Sequence, residues 1–156
     1  MPVVSREAEP NVLQPGILAN GVLSQNLTRA AAGSSLADLA VNSESPQQLI
    51  QQLYTTLLSR PPSPEEESRF VNILSTHFAD RLVPREKVRW PIPERALPQV
   101  TWTNHLVPQA NEIQLEVDAR VRRGPAPDPR LTTEWREVYE DFVWSLINSP
   151  EFVWVP

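Results

Sequence analysis

The chain has 156 residues, 17 prolines, 4 glycines, no cysteine and a formal charge of −5. That length suits one domain able to bury its own core, while the lack of cysteine excludes disulfides, thiolate metal sites, a cysteine nucleophile and a c-type haem attachment motif. The acidic balance argues against wrapping nucleic acid, which needs a basic face, and no apolar run approaches the ~20 residues that span a bilayer.

The opening Met1-Pro2-Val3-Val4-Ser5-Arg6 has no signal-peptide h-region, and residues 1–10 read as a tail ahead of a single helical domain over 11–156. From Asn11, the positions Leu13, Ile17, Leu18, Val22 and Leu27 suggest helix, with Gly21 as a possible break. Leu36, Leu39 and Ala40 suggest a short helical turn. Ser45-Pro46 then reads as an N-cap followed by proline at the first helical position. Leu49, Leu53 and Leu57 recur every four residues, and Ile50, Tyr54 and Leu58 widen that stripe. The run stops at Ser59-Arg60-Pro61-Pro62, because a proline drives its predecessor out of helical geometry. Ser63-Pro64-Glu65-Glu66 restarts it as a capping box, with Phe70, Ile73, Leu74 and Phe78 as the expected buried face. These two helices predict an αα-hairpin.

Pro84, Pro91, Pro93, Pro98, Pro108, Pro125, Pro127 and Pro129 crowd into residues 82–131 and forbid continuous helix or a central strand there. The segment is therefore a long proline-rich insertion. Within it, Pro108 opens a helix on which Ile113, Val117 and Val121 share a face, Glu116 and Arg120 pair at i,i+4, and Gly124 caps. The last helix starts near Thr132 or Thr133 and carries the widest apolar face: Trp135, Val138, Tyr139, Phe142, Val143, Leu146 and Ile147. Asn148-Ser149-Pro150 ends it, leaving Glu151-Phe152-Val153-Trp154 as an aromatic turn. The fold class predicted is all-α: at least four amphipathic helices packed around the Trp135–Ile147 helix, with an irregular excursion across the surface.

Few residues suggest chemistry. The glycines are too scattered for a phosphate-cradling loop. His77 and His105 show no H-x-x-x-H or H-E-x-x-H spacing, so no metal and no cofactor are expected, and His77 reads as a partly buried structural side chain. Asp141 with Glu137 or Glu140 imitates an acid–base pair, but such spacing equally marks a solvated stripe or a carboxylate meeting Arg136 or Arg60. Asn26-Leu27-Thr28 matches a short glycosylation acceptor. Arg60, beside two prolines, and the aromatics Tyr54 and Trp154 are candidates for an interaction surface. Trp102, Asn104 and His105, with Trp90 nearby, put aromatic platforms, an amide and an imidazole in a stiffened loop, the kind of place where binding residues gather. Either they bind a glycan or peptide, or both tryptophans anchor the loop to the body while Asn104 caps a turn.

Three blocks carry a resemblance: Glu9-Pro10-Asn11, Leu13-Gln14 and Asn20-Gly21; Leu53-Tyr54 with Leu57–Glu66; and Asp141, Trp144 and Leu146–Phe152. Over residues 9–81 and 132–156 the chain resembles the C-terminal part of the planctomycete secreted domain of unknown function. The resemblance implies placement at the end of a large extracytoplasmic protein, periplasmic or secreted, with that protein's other domains as partners. It supplies no catalytic residues. The function expected is a non-catalytic structural or interaction module; the alternative is a ligand-binding or enzymatic module acting on polysaccharide through the Trp102–His105 loop.

Overall fold

A computed structural model describes residues 21–153. It is all-α: helices α1 (Val22–Leu27), α2 (Ser35–Asn42), α3 (Pro46–Leu58), α4 (Pro64–Leu74), α5 (Gln109–Arg123), α6 (Thr133–Ile147) and α7 (Pro150–Val153), with one 3₁₀ turn at Arg85–Lys87. The helical reading over 11–20 and the candidate Trp154 lie outside the described residues.

Serine hydroxyls start the three central helices. Ser34, Ser45 and Ser63 accept hydrogen bonds from the backbone N–H of Ala37 (3.2 Å), Gln48 (3.2 Å) and Glu66 (3.3 Å). At α4 the box is reciprocal, because Glu66 Oε2 accepts from the Ser63 N–H at 2.7 Å. α3 ends with Ser59 in the left-handed region at φ 56°, which turns the chain before Pro61 and Pro62. The predicted hairpin is present, and α2 is a full eight-residue helix rather than a single turn.

The core joins α2, α3, α4 and α6. Ala37, Ala40, Leu49, Ile50, Leu53, Tyr54, Leu74, Tyr139, Phe142 and Leu146 form one buried cluster, each large member contributing roughly 1.5–3 kcal/mol by leaving water. α3 is its hub: it packs on α2, α4, α6 and α7, whereas α6 packs on α3, α4 and α7. The wide stripe of α6 suggested the central position, but α3 sits between more neighbours. Ile73 and Val138, both expected inside, are exposed, because each lies at the margin of its helix's stripe rather than over the contact. Phe78 is buried from beyond the end of α4. His77 takes φ 58°, which swings Phe78 back under Trp135 and leaves the imidazole exposed, contrary to the expected half-burial.

Buried polar groups pin the pieces together. Arg81 is 7% exposed. Its guanidinium donates to the carbonyls of Ala40 (2.9 Å), Val41 (3.3 Å), Ser43 (2.6 Å) and Phe78 (2.9 Å), closing the open C-terminal end of α2. It lies over the Phe78 ring at 3.8 Å, and burial draws it below its ordinary pKa. Asp128 is wholly buried; Arg130 meets its carboxylate through Nε (2.9 Å) and Nη2 (2.7 Å). Burial pushes the Asp128 carboxyl up, and the bonds from Arg130 outweigh it, holding the group below the usual carboxylate range.

The insertion is stitched at both ends. Ala31 and Pro127 form an antiparallel bridge, as do Leu82 and Leu131, supported by Ala32 N to Ala126 O (2.9 Å) and Val83 N to Arg130 O (2.8 Å). Asp128 and Leu131 therefore belong to the body. The stretch between, with α5, forms an arm. Arg120 and Arg123 of α5 hold Glu94 at 3.0 and 2.9 Å, and Arg120 also pairs with Glu116 at 2.9 Å. On α5, Ile113 and Val117 are half-buried and Val121 is exposed. Gly124, at φ 71°, ends α5 against α1: an added Cβ would run into the Asn26 side chain.

Candidate functional site

Two places answer to the residues singled out in the sequence. The first is the α3–α4 corner, beside an open groove of about 1100 Å³ whose lining includes Tyr54, Leu58, Arg69, Phe70 and Pro150. Capping places Arg60 at the mouth, where every N–H of its guanidinium is engaged. Nη1 and Nη2 meet the two oxygens of Glu66 at 2.9 Å each, Nη1 also donates to Pro61 O at 3.0 Å, and Nε and Nη2 reach Glu151 at 3.0 and 2.7 Å. With its five donors occupied, Arg60 ties α7 to the hairpin and offers nothing further to a partner. The same bonds hold the Glu66 carboxyl down at about 2. Tyr54 is only 2% exposed and packs with Phe70 and Phe142 in an aromatic triangle. Burial, and then the neighbouring Glu66 charge, push its hydroxyl up to about 12. The corner is a structural clasp, so Tyr54 and Arg60 are corrected from interaction surface to core and tie.

The second is the loop that leads into α5. Successive turns, Asn104 N to Thr101 O (3.2 Å) and Val107 N to Asn104 O (3.2 Å), coil it tightly. Asn104 locks it from within: Oδ1 accepts from Thr101 N at 2.6 Å and Nδ2 donates to Gln99 O at 2.9 Å. Its amide is therefore committed to the loop, and Asn104 positions rather than binds. Locking the backbone turns Trp102 outward, 91% exposed, so it is no loop anchor. His105 Nδ1 meets Trp102 O at 2.7 Å, which sets the imidazole against the indole edge-on, 5.4 Å between centroids and 76° between planes. Together with Val100 and Thr101 they line a concavity of about 360 Å³. Trp90 stands apart: it is 56% exposed, its ring 5.5 Å from the Arg130 guanidinium, and it does not line that concavity.

Other expectations resolve locally. Asp141 is exposed; the carboxylate in a special setting is its neighbour Glu140, which accepts from Ala30 N at 2.9 Å and faces Arg136 at 3.4 Å. Burial raises the Glu140 pKa. With Gln25, Thr28, Arg29, Asp141 and Trp144, Glu140 forms a small recess, in which the Thr28 hydroxyl donates to Gln25 O at 3.2 Å. Asn26 of the glycosylation match donates its amide to Val121 O at 3.1 Å. Among the described residues, no group of three metal-ligating side chains converges, and no helix is long and apolar enough to cross a membrane. Arg81 escaped sequence reading because a buried charge bound to distant backbone has no local signature, and Asp128 because its short-range pairing with Arg130 looks like any surface ion pair.

The fold and this loop define an all-α body carrying a proline-rich arm with an exposed aromatic corner. Comparison with known proteins finds no matching family model, no matching curated protein and no matching solved structure.

Proposed function

We propose that this chain is a non-catalytic structural and interaction module, the C-terminal part of a larger extracytoplasmic protein, and that its arm engages that protein's other domains. One observation carries the reading. Among the described residues the four most exposed large apolar side chains, Trp102, Ile92, Leu106 and Leu115, all lie on the arm, with Trp90 in the same segment, and none of them belongs to the core cluster. Apolar side chains left in water along one segment are area that a partner would bury. The resemblance to the planctomycete secreted domain supports the C-terminal placement and the compartment.

The test replaces Ile92, Leu106 and Leu115 together by aspartate. These side chains touch no core residue, so the melting temperature should hold. Affinity for the rest of the parent polypeptide, measured calorimetrically, should fall at least tenfold, about 1.4 kcal/mol. Unchanged affinity would remove the arm from the interface and overturn the reading.

A further inference from the structure

The corner at the tip of the arm has a more specific chemistry than an apolar patch. Trp102 O has only lone pairs, so the short contact to His105 Nδ1 (2.7 Å) fixes the proton on Nδ1. In the neutral imidazole this leaves the lone pair on Nε2 as an acceptor, on an exposed ring beside an exposed indole. The two rings stand at 76°, a flat apolar floor and a wall bearing one acceptor. Thr101 and Thr103 add hydroxyls at the rim, 2.8 Å apart. The loop is locked by Asn104 before any ligand arrives, so little ordering accompanies binding.

The lining also limits the ligand. Val100, Thr101, Trp102 and His105 contain no carboxylate, lysine or arginine. An anion would find no counter-charge there. A cation would find one indole and no acid, short of the enclosing aromatics that hold such groups. What fits is a neutral ring with an apolar C–H face and hydroxyls at its edge, in a space of about 360 Å³, at the small end of ligand sites. We propose that the Trp102–His105 corner binds a neutral pyranose, its C–H face stacked on the indole and one hydroxyl donating to His105 Nε2. The C–H groups carry partial positive charge toward the negative face of the indole. The proposal rests on the reading that the arm is a presenting surface, and names a ligand for its tip.

The test follows the Trp102 indole N–H resonance in the whole chain, assigned by its loss in Trp102→Phe. The probes are soluble β-1,4-linked hexamers of glucose, mannose and N-acetylglucosamine, with a hexagalacturonate as the charged comparison, each to about 10 mM. At least one neutral hexamer should shift the resonance with millimolar dissociation, and the galacturonate should not. Trp102→Ala should abolish the binding. His105→Phe, which removes the Nε2 acceptor together with the Nδ1 bond to Trp102 O, should weaken it at least about fivefold. Backbone amide shifts of residues 99–107 that stay near those of the parent in the absence of sugar show that the loop keeps its conformation in both variants. Silence from every neutral hexamer, or binding that survives Trp102→Ala, would overturn the proposal. If the parent's other domains still perturb the arm's resonances while no sugar does, the sugar site falls and the arm reading stands. If neither perturbs them, both fall.

Discussion

Arg81→Ala is expected to destabilise the domain by about 3 kcal/mol or more, because it strips a charged donor from several carbonyls at once. Four backbone carbonyls depend on that guanidinium, three of them at the end of α2. Their loss leaves buried acceptors with no replacement donor, at roughly 1–3 kcal/mol for each that water cannot reach. A buried ion pair can be exchanged for apolar residues with little loss; that escape is closed here, because carbonyls cannot be mutated away. Arg81→Met should therefore restore packing over Phe78 and recover only part of the stability. Arg81→Lys keeps the charge but lacks the planar fork that reaches several carbonyls at once, and should fall in between. Urea unfolding followed by far-UV circular dichroism reads all three. A loss below about 1 kcal/mol for Arg81→Ala would mean that α2 is held by its serine cap and apolar face alone.

Trp135→Ala should cost a similar amount, about 3–5 kcal/mol. The indole stacks on Tyr139 (5.3 Å, 9°) and meets Phe78 edge-on (5.8 Å, 71°), and its Nε1 donates to Leu74 O at 3.1 Å. One side chain thus ties α6 to the end of α4 and to the chain that follows it. Trp135→Phe retains a ring but not the donor, and should lose about 1–2 kcal/mol. Because the Arg81 guanidinium lies over Phe78 and 6.0 Å from the Trp135 ring, the double variant Arg81→Ala/Trp135→Ala should lose less than the sum. Strict additivity would show that the two sites stabilise separate parts of the fold.

Local chemistry was legible in the sequence, and distant pairing was not. Ser45-Pro46 and Ser63-Pro64-Glu66 announce helix starts because every partner lies within three residues. Arg60 beside two prolines looks free for docking because its second partner, Glu151, is 91 residues away. Arg81 looks like any surface arginine, since its partners are carbonyls with no residue-type signature. Tyr54 reads equally well as floor or as face, and only its packing against Phe70 and Phe142 decides it. His77 misled because the α4 stripe passes through its position, whereas the helix has already ended and the backbone there is left-handed. In the candidate loop the residue types were visible but their directions were not. Nothing local distinguishes Trp102, turned outward, from Trp90, laid near Arg130, or reveals that Asn104 is consumed by its own turn. The ends of the insertion joined the body for a similar reason: the bridges Ala31 to Pro127 and Leu82 to Leu131 are long-range pairings that proline content hides.

The chain divides into a body that folds and an arm that is carried. Excising residues 88–120 and closing the gap with about twelve Gly/Ser residues, reaching roughly 20 Å, separates the two most directly. Urea unfolding of that variant should remain a single cooperative transition within about 1 kcal/mol of the parent, since the ion pairs removed are largely solvated. A variant without a cooperative transition would show that the arm helps hold the fold, and would contradict its role as a presenting surface.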